Sequence, residues 1–274
     1  MQKNGSFSKK TLLILSIFFI LSYIIIEYNL SKTKFVPKKD LTENALCFLN
    51  HCPTGSPKDN FLVNHQIYIL SSNRETKFAD WVAYVVKKNN LNGPSRERNW
   101  KQDPLIEEKF TLSPKDYIGA AKACHYDRGH QAPLASFSNS PYWEKTNYLS
   151  NITPQKAELN QGAWVKLEKA IRRLASDGAA IYVVTGPIYQ HGVPMCHLPR
   201  KPNLAIPTAY FKVVFKSENQ GVSYAAFIMS QHAKQNATMC QFAVSLKKVR
   251  EMTKLKFLNS SIHRNETLLK PLGC

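Results

Sequence analysis

The chain has 274 residues, 43% hydrophobic and 11% aromatic, enough for one sizeable core, which excludes an intrinsically disordered protein. Its 37 basic and 19 acidic residues give a formal charge of +18, and 32 and 18 of them, or +14, lie beyond residue 34. The globular part itself therefore attracts polyanions, nucleic acid or an anionic membrane surface, and charge alone does not separate binding from chemistry.

Near the amino terminus, Lys9 and Lys10 precede an almost uninterrupted apolar run from Leu12 to Ile26. The run is short for a spanning helix and long for a signal-peptide core, and no small-residue cleavage site follows it. Residues 11–28 read as an uncleaved signal anchor that contacts the membrane, with the lysines retained inside and the remainder exported. A cleaved signal peptide and free secretion are the alternative. The expected layout is a cytoplasmic stub and anchor over 1–34, a tether and irregular lead-in over 35–64, and a domain over 65–274. That domain is expected in the periplasm or outside the cell.

"HQIYIL" (65–70) and "FADWVAYVV" (78–86) have strand composition, and "GPSRERNWKQDP" (93–104) is a polar loop. Residues 124–130 are expected to bring a strand end into a turn, with Gly129 supplying a backbone conformation that other residues resist. "LNQGAWVKLEKAIRRLASDG" (159–178) carries Trp164, Leu167, Ile171 and Leu174 at helical spacing and ends at Gly178. Strand-like runs follow at 181–185, 210–215 and 224–229, then a helix candidate at 243–254. Strands and helices mix without regular alternation, which predicts an α+β fold with a mainly antiparallel sheet flanked by helices.

Six cysteines (47, 52, 124, 196, 240 and 274) lie beyond the export signal, and an even count there suggests disulfides. His191, Cys196 and His197 lie close together, but no C-x-x-C pair accompanies them, so a zinc site is set aside.

"HYDRGHQAPLAS" (125–136) places Asp127, Arg128 and His130 side by side. Hydrolysing a phosphodiester needs a base for water and positive charge on the phosphoryl oxygens. His130 suits the base, with Asp127 or a nearby carbonyl holding its tautomer. Asn151, Asn160 and Glu168 follow as candidate oxygen ligands. Asn160 and Glu168 are eight residues apart, about 12 Å along a regular helix, too far to share one ion directly. One direct ligand, with water held by the other, suits magnesium.

The stretches "TKFADWVAY", "RNWKQDP", "DRGHQAPLAS", "YLSNITPQK", "LNQGAWVKLE", "VVTGPIY" and "CQF" resemble the DNA/RNA non-specific endonuclease family across roughly residues 45–274. The resemblance implies a ββα-metal nuclease fold and metal-dependent cleavage of DNA and RNA to 5′-phosphorylated products. It implies His130 as general base, Asn160 as direct ligand of Mg²⁺ (or Mn²⁺ in its place), and Glu168 acting through water. Arg98 and Arg128 are implied as catalytic phosphate contacts, Asn151 as a residue arranging the site, and Asp127 as an orienter.

By the same resemblance Cys47 pairs with Cys52 and Cys240 with Cys274. The leftover Cys124 and Cys196 most simply pair with each other in an oxidising compartment. DNA and RNA are the expected partners, with a homodimer also open. The alternatives are a non-catalytic surface protein that binds nucleic acid for DNA uptake, and the same nuclease deployed as a toxin.

Overall fold

The computed structural model describes residues 46–218, 221–258, 264–265 and 268–274. The expected anchor over 11–28 lies outside these residues. No helix among them is long and apolar enough to cross a membrane.

The sheet forms where apolar and β-branched residues run continuously. Strands β1 (Phe61–Asn64), β2 (Tyr68–Ser72), β3 (Ala79–Val86), β6 (Ile181–Ile188), β7 (Ala209–Glu218) and β8 (Gly221–Ser230) pair antiparallel in that order. The short β9 (Ala243–Val244) and β10 (Arg264–Asn265) both join β8, the latter in parallel. Strands β4 (Tyr126–His130) and β5 (Ile152–Lys156) form a separate two-stranded antiparallel sheet.

Period-2 alternation along β7 assigns the two faces of the large sheet. Phe211, Val213 and Phe215 join one core cluster, while Tyr210 and Val214 join the other. Helix α2 (Val165–Ser176) covers the second face, burying Leu167, Ala170, Ile171 and Ala175 on one stripe. On the first face, α3 (Leu246–Thr253) buries Leu246 and Val249, and its Ser245 cap accepts a hydrogen bond from the Lys248 amide at 3.2 Å. Two single-turn helices, α1 (Ala120–Cys124) and α4 (Leu269–Leu272), complete the elements used below.

Three local expectations change. The domain begins before residue 65: β1 starts at Phe61, and Phe48, at 2% exposure, stacks on Phe215 with ring centroids 5.2 Å apart. Aromatic burial therefore recruits a stretch whose prolines read as a tether. The helix over 159–178 is not regular, because Asn160–Trp164 winds as a π-helix with Gly162 at non-helical angles. A Cβ on Gly162 would lie 2.7 Å from the Gln235 carbonyl oxygen, so close approach of another segment deforms the helix there.

Gly129 is the third. It does not have positive φ; His125 does, at 56°, where α1 turns into β4. A Cβ on Gly129 would lie 2.4 Å from Gln155 Oε1 and 2.7 Å from Gln155 Cβ. Glycine is needed there because β5 packs a buried glutamine against it.

All six cysteines pair as Cys47–Cys52, Cys124–Cys196 and Cys240–Cys274. The Cys124–Cys196 bridge closes 72 residues and ties the end of α1, just before β4, to the segment after β6.

Candidate active site

The residues expected from "DRGH" converge because β4, β5 and α2 are consecutive and packed. Beside α2, a cleft of about 660 Å³ is lined by Arg98, Asp127, Arg128, His130, Asn160 and Glu168, with Trp100, Tyr117, Gln161 and Arg172 among its other walls.

His130 closes β4 and is partly exposed to this cleft. Its Nε2 lies 3.2 Å from Asn147 Oδ1. Asn147 is 1% exposed, and its Nδ2 donates to the Glu97 carbonyl at 3.2 Å, which fixes its oxygen toward the imidazole. Nε2 therefore carries the proton in the neutral ring and Nδ1 keeps the lone pair. Burial brings the His130 pKa down to about 4; the bond to Asn147 opposes that, and the Arg98 charge adds to it. The imidazole is neutral at pH 7.

Asp127 does not hold the His130 tautomer as expected. Its Oδ2 accepts from Asn160 Nδ2 at 2.8 Å and Gln161 Nε2 at 2.9 Å. This bond commits the amide nitrogen of Asn160 and leaves Oδ1 uncommitted. Neighbours on β4 alternate sides, so Asp127 and His130 serve different partners.

Arg128 sits between two rings, its guanidinium carbon 5.5 Å from the Trp100 centroid and 5.4 Å from that of Tyr117. These cation–π contacts hold the planar guanidinium at the cleft wall. Arg98 is exposed on the loop expected from the sequence.

That loop is pinned at its carboxyl end by Asp103. Its carboxylate pairs with His65 Nε2 at 2.7 Å, accepts from Ser150 Oγ, and caps the Leu105 amide at 2.9 Å. Asp103 and His65 are each 1% exposed, so the pair is a dry tie between the arginine loop and the turn after β1, and the Ser150 bond links the same carboxylate to the segment that follows Asn147.

Asn151 does not reach the cleft. It is fully buried, with Nδ2 donating to the Ala132 and Thr146 carbonyls and Oδ1 accepting from the Ala132 amide, all at 2.8–2.9 Å. The reading of Asn151 as a candidate oxygen ligand is corrected, because every polar atom of its side chain is already spent on backbone, a geometry compatible with the implied role of arranging the site.

Beneath Glu168 lies Lys212, 0% exposed, with Nζ 4.2 Å from the Trp164 ring centroid, 3.3 Å from Thr185 Oγ1 and 3.4 Å from Tyr84 Oη. Burial raises the Glu168 carboxyl above the ordinary carboxylate range, while the Lys212 and Arg172 charges oppose it. Burial likewise lowers Lys212, and Glu168 opposes that. Sequence reasoning missed Asn147, Lys212 and Arg172. Arg172 had a signal, four residues after Glu168 on one helix face. Asn147 and Lys212 had none, since one lies in an irregular segment and the other in an apolar strand.

A family model described as DNA/RNA non-specific endonuclease matches residues 49–261. The chain belongs to that family. This endonuclease is 44% identical over 207 residues to the nuclease of Serratia marcescens, covering 74% of this chain and 77% of that one. It is 27% identical over 234 residues to human mitochondrial endonuclease G, covering 78% and 75%. The solved structure of an EndoG/EndoGI complex, a study of EndoG inhibition, matches with a TM-score of 0.63 and 26% identity, covering 72% of this chain and 86% of that one. The central sheet of this chain is mainly antiparallel, as expected.

The donor set of the cleft suits a hard cation. The amide oxygen of Asn160, left over by the Asp127 bond, and the carboxylate of Glu168 are oxygen ligands of the kind Mg²⁺ prefers. Among the described residues no group of three or more His, Cys, Asp or Glu could hold a metal.

Proposed function

We propose that this endonuclease hydrolyses phosphodiester bonds of DNA and RNA at the cleft, with His130 as general base and 5′-phosphates as products. The observation that carries the reading is the pairing of roles in one cleft. Asn147 leaves Nδ1 of a neutral His130 free, and Asp127 leaves Oδ1 of Asn160 free.

In this reading His130 Nδ1 takes the proton of the attacking water. Arg98 and Arg128 hold the phosphoryl oxygens, and the rings flanking Arg128 keep its guanidinium aimed. Asn160 Oδ1 would hold Mg²⁺ directly, or Mn²⁺ in its place, and Glu168 would hold it through water. When bound, the cation stabilises charge on the phosphate and on the leaving 3′-oxygen. The Arg172 and Lys212 charges oppose the burial that favours the protonated Glu168 carboxyl. Three disulfides suit an oxidising compartment, which favours export.

Degradation of plasmid DNA and of RNA, with and without chelator, tests this reading. Both substrates should be cut, chelator should stop the reaction, and His130→Ala should lower turnover by about 10²–10⁴-fold or more. Normal turnover in His130→Ala would remove the imidazole from the mechanism.

A further inference from the structure

A second concavity lies on the opposite face of the large sheet, against the cluster that contains α3. It encloses about 690 Å³, comparable with the cleft. His51, Arg250, Lys254 and Lys256 line it over Leu255 and Phe257, and among the described residues no carboxylate is part of the lining. The ion pair on α3, Lys247 with Glu251 at 4.0 Å, involves neither lysine of the groove.

The chain builds this groove deliberately. After α3, Lys254 adopts a left-handed conformation (φ 62°), and the alternation that follows buries Leu255 and Phe257 at 3% each while Lys254 and Lys256 stay exposed. Lys256 pairs through its backbone with Thr54, at 3.0 and 2.8 Å. Gly55 (φ +104°) makes room for this, since a Cβ there would lie 2.5 Å from the Lys254 carbonyl oxygen. The Cys47–Cys52 bridge closes the neighbouring loop. The positive groups are thus held by backbone pairing, a positive-φ glycine and a disulfide.

We infer that this groove is a second nucleic-acid surface, holding the phosphate backbone of a long strand outside the cleavage cleft. A concave wall of cations fits a chain of phosphates that can enter it. A bilayer surface fits it poorly, because the apolar side chains that would insert, Leu255 and Phe257, are buried. The inference rests on the cleft being where cleavage occurs, which a short oligonucleotide reads separately.

The test uses the full chain and the double variant Lys254→Gln/Lys256→Gln. Cleavage of kilobase-length duplex DNA and of a short oligonucleotide reaching no further than the cleft is measured from about 50 to 200 mM salt. Binding of the long DNA is measured in chelator as well, so that the groove is read even if cleavage fails. KM and Kd for long DNA should rise several-fold, and the slope of log affinity against log salt should become shallower by about 2, near 0.9 per lost phosphate contact. Both kcat and KM for the oligonucleotide should stay unchanged. An unaltered salt slope, or an equal loss on both substrates, overturns the proposal. So does weaker sedimentation with phosphatidylserine vesicles alongside unchanged binding of long DNA, which would make the groove a lipid-headgroup site. If the unsubstituted chain leaves the oligonucleotide uncut while long-DNA binding responds as expected, the reading of the cleft fails and the groove stands.

Discussion

Asn147 Oδ1 lies 3.2 Å from His130 Nε2, and the other end of the same amide is tied to the Glu97 carbonyl. One buried asparagine thus couples the tautomer of the His130 imidazole to the loop that carries Arg98. Asn147→Asp keeps an acceptor but introduces a buried charge, which should raise the His130 pKa. Asn147→Ala removes the acceptor and frees the ring. Both should lower kcat with little change in KM, and only Asn147→Asp should move the acid limb of the pH profile upward. Equal pH profiles for the two variants would show that Asn147 does not act through the imidazole.

The low pKa of His130 predicts how activity and stability respond to acid. Below about 4 the base is protonated, so kcat/KM should fall through that value and not through the ordinary 6.5. The folded pKa lies below the unfolded one, so the unfolded chain binds the extra proton first. The contribution of neutral His130 to stability is full above about 6.5 and declines as pH falls toward 4. Chemical denaturation from pH 7 to 4, compared with His130→Ala, should show a gap that narrows with acid. A constant gap would mean that the imidazole titrates normally.

Asp127 should act on metal demand through Asn160. Asp127→Ala releases both amide donors, so Asn160 Oδ1 loses its orientation, and the Mg²⁺ needed for half-maximal rate should rise about 10–100-fold. Asn160→Ala should raise it further, and Glu168→Ala less. Metal titration of activity, with calorimetric binding of Mg²⁺ as a second readout, ranks the three. If Glu168→Ala abolishes binding while Asn160→Ala leaves it intact, the two roles are reversed.

Gly129 and Gln155 form a packing pair that can be tested by rescue. Gly129→Ala should destabilise the chain by about 1–3 kcal/mol, because the added carbon overlaps the Gln155 side chain. Gln155→Ala should restore part of that loss in the double variant, since it removes Oε1 and Cδ while the Cβ at 2.7 Å remains. Additive destabilisation in urea melts would place the constraint in the backbone instead.

The Cys124–Cys196 bridge closes a 72-residue loop and should contribute about 4 kcal/mol in the chain-entropy model. Replacing both cysteines with alanine should lower Tm by roughly 10 °C. An unchanged Tm under non-reducing conditions would show that packing, and not the bridge, holds that loop.

The sequence by itself determined the elements whose signal is local. The strand runs around 78–86, 181–185, 210–215 and 224–229 and the stripe from Trp164 to Leu174 appear as expected, because burial on a sheet face or helix stripe imposes a short period on consecutive residues. His130, Arg128, Asn160 and Glu168 lie on or beside β4, β5 and α2, which follow one another along the chain, whereas Arg98 comes from the preceding loop and was implied only by the family resemblance. Only the tertiary structure decided what depends on partners distant in sequence. Gln155 makes position 129 glycine by closeness, Gln235 bends the helix at Gly162, and Asn147 selects which nitrogen of His130 keeps its lone pair. Lys212 reads as an interruption of an apolar strand, and packing alone places its ammonium beneath Glu168. Each of these contacts joins segments that no local period relates, so their geometry follows from the closed fold.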